Sequence, residues 1–179
     1  HFLALARPGA APRSSASERI PADPAAALRR TARLFEKSLS GGNVRFRLEI
    51  PESAAAGARV ALDEPSLTQA LVNLLRNAAE ALPPEGGEIT LSLAIERGAA
   101  EGKSVACIAV ADTGRGMDAE TARQVFEPFF TTKEAGIGLG LALTRQIITA
   151  AGGEITLESA PGRGTTVFLR LPVETTLRS

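Results

Sequence analysis

The chain has 179 residues, enough for one domain with a hydrophobic core and a short tail. Hydrophobic residues make up 44% and charged residues 22%, the balance of a globular protein, and no apolar stretch reaches the ~18 residues that would span a bilayer. Twenty basic and twenty acidic residues cancel, which argues against nucleic acid as the main partner, and the lone Cys107 excludes a disulfide framework or a Cys/His zinc site.

The chain starts at His1 without a signal peptide, so it is expected to be a fragment of a longer protein. Phe2–Arg7 reads as the last turns of a helix stopped by Pro8-Gly9, and residues 8 to 22, rich in Ala, Pro, Ser and Arg, read as a linker. A domain is expected over residues 23 to 174, with 175 to 179 as a tail. Asp23-Pro24 is a capping acid followed by proline at the first helical position. Leu28, Ala32, Phe35 and Leu39 continue that helix at helical spacing until Gly41-Gly42. Val44–Ile50 alternates as a half-buried strand, and Arg59–Leu62 is a second, short one.

Asp63 opens a helix running to about Leu82, with Leu67, Leu71, Leu74, Ala78 and Leu82 as its apolar stripe and Pro83-Pro84 as its stop. Strands are expected over Glu88–Glu96 and Val105–Ala111, joined by a Gly/Ala-rich turn. From Asp112 to Gly138 the chain is glycine-punctuated with little regular pattern, and a loop that long in a compact domain is usually functional. A helix over about Leu139–Ala151 and strands Glu154–Ser159 and Thr165–Leu171 complete the chain. This order argues for an α/β two-layer sandwich, a mixed and mostly antiparallel sheet with helices packed on one face.

Four features carry possible chemistry. Asn73 and Asn77 sit four residues apart, on one helix face beside the apolar stripe. An amide oxygen is a hard ligand suited to Mg²⁺ and an amide nitrogen can donate to phosphate, but two surface asparagines would look the same. Asp112-Thr-Gly-Arg-Gly116 ends an apolar strand in an acid able to accept from an exocyclic amine. There, Gly114 and Gly116 would allow a tight turn and close approach to a ligand, although an ordinary β-turn also fits. Phe126-Glu-Pro-Phe-Phe-Thr-Thr-Lys133 places three aromatics as possible anchors of a flap, with Lys133 as a cation for phosphate. Gly136-Ile-Gly-Leu-Gly140 opens a helix, where free N–H groups make an anion site. It lacks the spacing and preceding strand of a dinucleotide-binding fingerprint, and the chain has no Walker A sequence.

Taken in this order, the segments resemble those of the GHKL (Bergerat-fold) ATP-binding superfamily, and within it the bacterial sensor histidine kinases. Asn73–Asn77 resembles the N box, Asp112–Gly116 the G1 box, Phe126–Lys133 the F box and Gly136–Gly140 the G2 box; Gly162-Arg-Gly-Thr165 resembles the terminal G-x-G-T segment. The Phe-Phe-Thr-Thr-Lys form is similar to the nitrogen-regulation class. The resemblance implies ATP and Mg²⁺ as cofactors, with Asn77 coordinating the metal, Asn73 on the phosphates and Asp112 on the adenine amino group. It implies that Thr165 supports that last contact, that Gly136, Gly138 and Gly140, with Leu139 between them, bend a lid over the phosphates, and that Lys133 approaches the γ-phosphate. Ile137 departs from the commoner Thr, so one hydroxyl contact is lost or moved. Arg76 and Glu80 are read as structural or solvated.

Hydrolytic members such as DNA gyrase and MutL resemble one another in placing a Glu where this chain has Asn73. An amide cannot take a proton at neutral pH, so the site is expected to hold ATP for an imidazole supplied by another domain. His1, the only histidine, is followed by Phe-Leu-Ala-Leu and does not resemble an acceptor. The resemblance implies two partners, the protein's own dimerisation and phosphoacceptor domain and a response-regulator receiver domain. It implies no nucleic acid, no membrane contact by this segment, and a cytoplasmic location even if the parent is membrane-anchored. The alternatives are a protein-serine kinase of the anti-sigma-factor type and a nucleotide-sensing scaffold module.

Overall fold

A computed structural model describes residues 20–39, 43–54, 57–97, 104–132 and 136–174. The expected helix over residues 2 to 7, the Gly41-Gly42 stop, the turn between the two central strands, Lys133 and the tail from 175 lie outside the described residues. The elements run α1 (Pro24–Ser38), β1 (Val44–Glu49), β2 (Arg59–Val60), α2 (Glu64–Ala81), β3 (Gly87–Arg97), β4 (Ser104–Asp112), α3 (Ala119–Gln124), α4 (Gly140–Ala150), β5 (Glu154–Ser159) and β6 (Thr165–Glu174).

Both long helices start as their sequences dictate. Asp23 Oδ1 accepts from the Ala26 N–H at 3.0 Å, and Asp63 Oδ1 accepts from the Ser66 N–H at 2.9 Å. Each acid is followed within two residues by a proline in the first helical turn. At the far end of α2, Leu82 is forced to extended backbone (φ −68°, ψ 146°) by the Pro83 that follows it. An ion pair between Arg30 and Glu64 links the two helices.

The sheet order is β1-β3-β4-β6-β2, and β5 also pairs with β6. Only β1 with β3 is parallel; the other pairings are antiparallel. The register aligns Leu93 with Ile108 and Leu91 with Val110, then Ile108 with Leu169 and Val110 with Val167. All of these are buried, and they form the inner face on which α1, α2 and α4 pack. Alternation carries the same row one step further along β4, so Asp112 follows Ala106, Ile108 and Val110 on the inner face at the strand end, opposite Thr165. From α2, Leu67, Ala70, Leu71, Leu74, Leu75 and Ala78 fill the core.

Some elements differ from the sequence expectation. A six-residue helix, α3, interrupts the long glycine-punctuated stretch, capped by Asp118 Oδ1 accepting from the Thr121 N–H at 2.7 Å. The strand β2 is two residues long, whereas β6 runs past Pro172 to Glu174. Proline is tolerated there because Pro172 falls between the β5 partner Arg170 and the β2 partner Val173 on that edge. Ala22, at the end of the presumed linker, is buried and bridges to Val60. It donates to the Leu62 carbonyl at 2.8 Å and accepts from the Val60 N–H at 3.0 Å.

Leu71 is fully buried at the centre of α2. Leu71→Ala should lower the unfolding free energy by about 2–5 kcal/mol in urea denaturation, with a coherent single transition retained.

Candidate functional site

The inner face of α2, the start of α4 and the ends of β4 and β6 surround a cavity of about 1590 Å³. Asn73, Asn77, Asp112, Gly116, Gly136, Gly138, Leu139, Gly140 and Thr165 all line it. The structure therefore brings together residues separated by as many as 92 positions, that is 165 minus 73. Gly114 lies outside this lining. Its N–H donates to Asp112 Oδ1 at 2.8 Å, so it acts on the carboxylate rather than on the cavity.

Asp112 is the one acid ending the inner row of β4. Burial pushes its carboxyl above the usual aspartate range, against the pull of hydrogen bonds from the Gly114 and Thr165 N–H groups. Beside it, Ser159 Oγ accepts from the Met117 N–H at 2.9 Å, donates to the Gly164 carbonyl at 2.9 Å and lies 2.9 Å from Thr165 Oγ1. The single Ser159 proton goes to Gly164, which makes Thr165 the donor to Ser159 and leaves the Thr165 oxygen as an acceptor. Ser159 is not legible in the sequence, because a serine at a strand end carries no signal of its own.

At the other end, Asn73 and Asn77 are half-buried side by side on α2. Asn73 Nδ2 donates to Thr144 Oγ1 at 2.8 Å, and Thr144 Oγ1 donates to the Gly140 carbonyl at 3.0 Å. Thr144 is 1% exposed, one of two buried polar side chains among the described residues. It carries no signal in the sequence, where it is one of several polar residues, with Arg145, Gln146 and Thr149, on the same helix. The glycines are required mainly by neighbouring protein. A Cβ at Gly116, whose φ is +63°, would stand 1.9 Å from the Ala160 carbonyl oxygen, and one at Gly140 would stand 2.4 Å from Asn73 Oδ1.

The flap differs from expectation. Phe126 and Phe130 are half-buried, but Phe129 is 72% exposed and therefore not an anchor. Phe129 sits at φ +68° and donates its N–H to the Gly138 carbonyl at 2.9 Å, which ties the two sides of the flap together by backbone. Ile137 is exposed at the rim. Among the described residues no group of three His, Cys, Asp or Glu side chains is placed to hold a metal ion.

The family model described as "Histidine kinase-, DNA gyrase B-, and HSP90-like ATPase" matches residues 62–175, from the start of α2 through β6, and the chain belongs to this family. Its curated relatives include sensor histidine kinases and sporulation kinases. Sensor histidine kinase ZraS of Klebsiella oxytoca is 41% identical over 115 residues, covering 64% of this chain and 24% of that protein. Sporulation kinase E of Bacillus subtilis is 33% identical over 146 residues, covering 82% of this chain and 19% of that protein. The chain spans about a quarter or less of the length of these relatives. Among solved structures, the nucleotide-free catalytic domain of histidine kinase ThkA superposes with a TM-score of 0.71 at 29% identity, covering 87% of this chain and 95% of that one. Full-length ShkA in complex with AMPPNP gives 0.73 at 26% identity, covering 89% and 32%.

Because folding raises the pKa of Asp112, its ionisation opposes folding. This penalty is absent below the unfolded-state value and enters as pH rises through the folded one. Urea denaturation across roughly pH 4 to 7 should therefore show the stability of Asp112→Asn gaining on wild type as pH rises, with the gap narrowing toward the acid end.

Proposed function

We propose that this chain is the catalytic domain of a sensor histidine kinase, which holds ATP with Mg²⁺ and presents the γ-phosphate to a histidine on another domain. The observation that carries this reading is the meeting, in one cavity, of Asp112 at the strand end with Asn73 and Asn77 on α2 and the glycine-rich start of α4. The names of the relatives and the AMPPNP complex of ShkA support it. The family match over residues 62–175 supports a catalytic domain that we place at residues 23–174, with the residues before it proposed to lead toward a dimerisation and phosphoacceptor domain.

In this reading Asp112, partly buried and held by two backbone donors, accepts from the adenine amino group. Thr165 lies alongside, and Gly136, Gly138, Leu139 and Gly140 offer a turn and a helix start with free N–H groups to the phosphates. Asn77 fits Mg²⁺: a carboxamide oxygen is a hard donor, and Mg²⁺ is usually held by one or two side chains plus phosphates and waters rather than by a protein cage. When bound, the ion neutralises phosphate charge and orients the γ-phosphoryl group. Lys133, outside the described residues, is proposed as a further cation for the γ-phosphate. Asn73 replaces the acid that would activate water, so the site holds ATP without a general base for hydrolysis. Catalysis then rests on positioning and charge stabilisation. The proposed partners are the acceptor-helix domain and a response-regulator receiver, with the segment in the cytoplasm where ATP is available. The relatives favour this over a serine-kinase reading.

Calorimetric titration with a non-hydrolysable ATP analogue should show binding that Mg²⁺ strengthens in wild type and no longer strengthens in Asn77→Ala. With [γ-³²P]ATP, an added acceptor-helix domain should gain acid-labile label while the isolated chain gains none. Absence of nucleotide binding, or acid-stable label on the partner, would contradict the proposal.

A further inference from the structure

We propose that Thr144 is a positioning residue that locks the Asn73 carboxamide with its oxygen, not its nitrogen, turned to the cavity. Proton counting fixes the orientation. A threonine hydroxyl has one proton, and Thr144 Oγ1 lies 3.0 Å from the Gly140 carbonyl, which can only accept. The atom of Asn73 that meets Thr144 at 2.8 Å must then be the donor, Nδ2. An independent neighbour selects the same orientation: Arg76 Nη2 stands 3.5 Å from Asn73 Oδ1, and the flipped amide would set donor against donor. Gly140 clamps the amide plane, since a Cβ there would lie 2.4 Å from Oδ1 and 3.1 Å from Nδ2. Thr144 is buried, so water cannot substitute for the hydroxyl without opening the α2–α4 contact.

This adds to the part that residue type alone assigns to Asn73. One of the two Nδ2 protons is engaged inside the protein, and the oxygen is the amide atom left to accept toward the cavity. An amide oxygen does not anchor phosphate oxygens; it holds a donor. Resting on the kinase reading above, the donor is the N–H of the incoming imidazole. Asn73 Oδ1 holds that N–H and so aims the other ring nitrogen at phosphorus. The lone pair of that nitrogen forms the N–P bond and the bond from phosphorus to the β–γ bridging oxygen breaks. ADP leaves with the electron pair, and the ring N–H proton is afterwards released to solvent. An amide serves here because it holds the proton without removing it. Thr144 touches neither substrate nor metal in this scheme and acts only through Asn73.

The test compares wild type, Thr144→Val and Thr144→Ser in three measurements. In ¹H–¹⁵N spectra of the chain, the Asn73 side-chain proton bonded to Thr144 should exchange slowly in wild type and Thr144→Ser and rapidly in Thr144→Val. Binding of the non-hydrolysable ATP analogue should be unchanged or tighter in Thr144→Val, because the released amide can turn its nitrogen to the phosphates. Transfer to an added acceptor-helix domain should fall roughly tenfold to a hundredfold in Thr144→Val, the range seen when orienting partners are removed, and recover in Thr144→Ser. Parallel loss of nucleotide affinity and transfer would reduce Thr144 to a structural residue and overturn the proposal, as would fast exchange of both Asn73 amide protons in wild type. If wild type itself fails to transfer, the kinase reading and the imidazole contact fall, while the exchange data still decide whether Thr144 locks the amide.

Discussion

The carboxylate of Asp112 closes a row of apolar side chains on the buried face of the sheet, and its neighbours are arranged to keep it there. Ala106, Ile108 and Val110 precede it, the Gly114 and Thr165 N–H groups donate to it, and the Gly164 backbone packs so tightly on its carbonyl that a Cβ at Gly164 would lie 1.9 Å from the Asp112 oxygen. Partial burial raises the carboxyl pKa and two donors offset that only in part. A charge held this way is stiff, poorly hydrated and aimed into the cavity, which is what recognition of a single amine requires.

The opposite wall is α2, and it joins two tasks. Its stripe of leucines fixes the helix against the sheet, and that same packing fixes the azimuth of Asn73 and Asn77 at the stripe's edge. Helix position and amide position are therefore one quantity: whatever loosens the core under α2 also blurs the site. The α4 contact adds the last degree of freedom, since Thr144 and Gly140 together determine how the Asn73 amide is turned.

Much of this was legible in the sequence because it is carried by periodicity and by local caps. The apolar stripe of α2, the Asp23 and Asp63 caps and the alternation of the central strands need no tertiary information, and the inner-face location of Asp112 follows from counting by twos along β4. The asparagine pair, Asp112 and the Gly136–Gly140 run stand out in the sequence by residue type and order, and all of them line the cavity. The features that escaped depend on contacts distant in sequence or too short to show a period. Helix α3 has six residues, too few for a stripe, and none of them is buried. Thr144 and Ser159 matter only through partners that folding supplies, 71 residues away in the case of Thr144 and Asn73. Phe129 reads as an apolar anchor by composition, yet its backbone, tied to Gly138 at positive φ, turns the ring outward.

The partner proposed for Asp112 is the exocyclic amino group of adenine, and changing that group alone tests it most directly. Titration of the chain with the non-hydrolysable triphosphates of adenosine and inosine, which differ by amino against carbonyl at that position, should show the inosine compound binding weaker by about tenfold to a hundredfold, the worth of a hydrogen bond to a charged acceptor. Equal affinity for the two would contradict it, because a carboxylate that faces the base cannot accept from an amine and from a carbonyl alike.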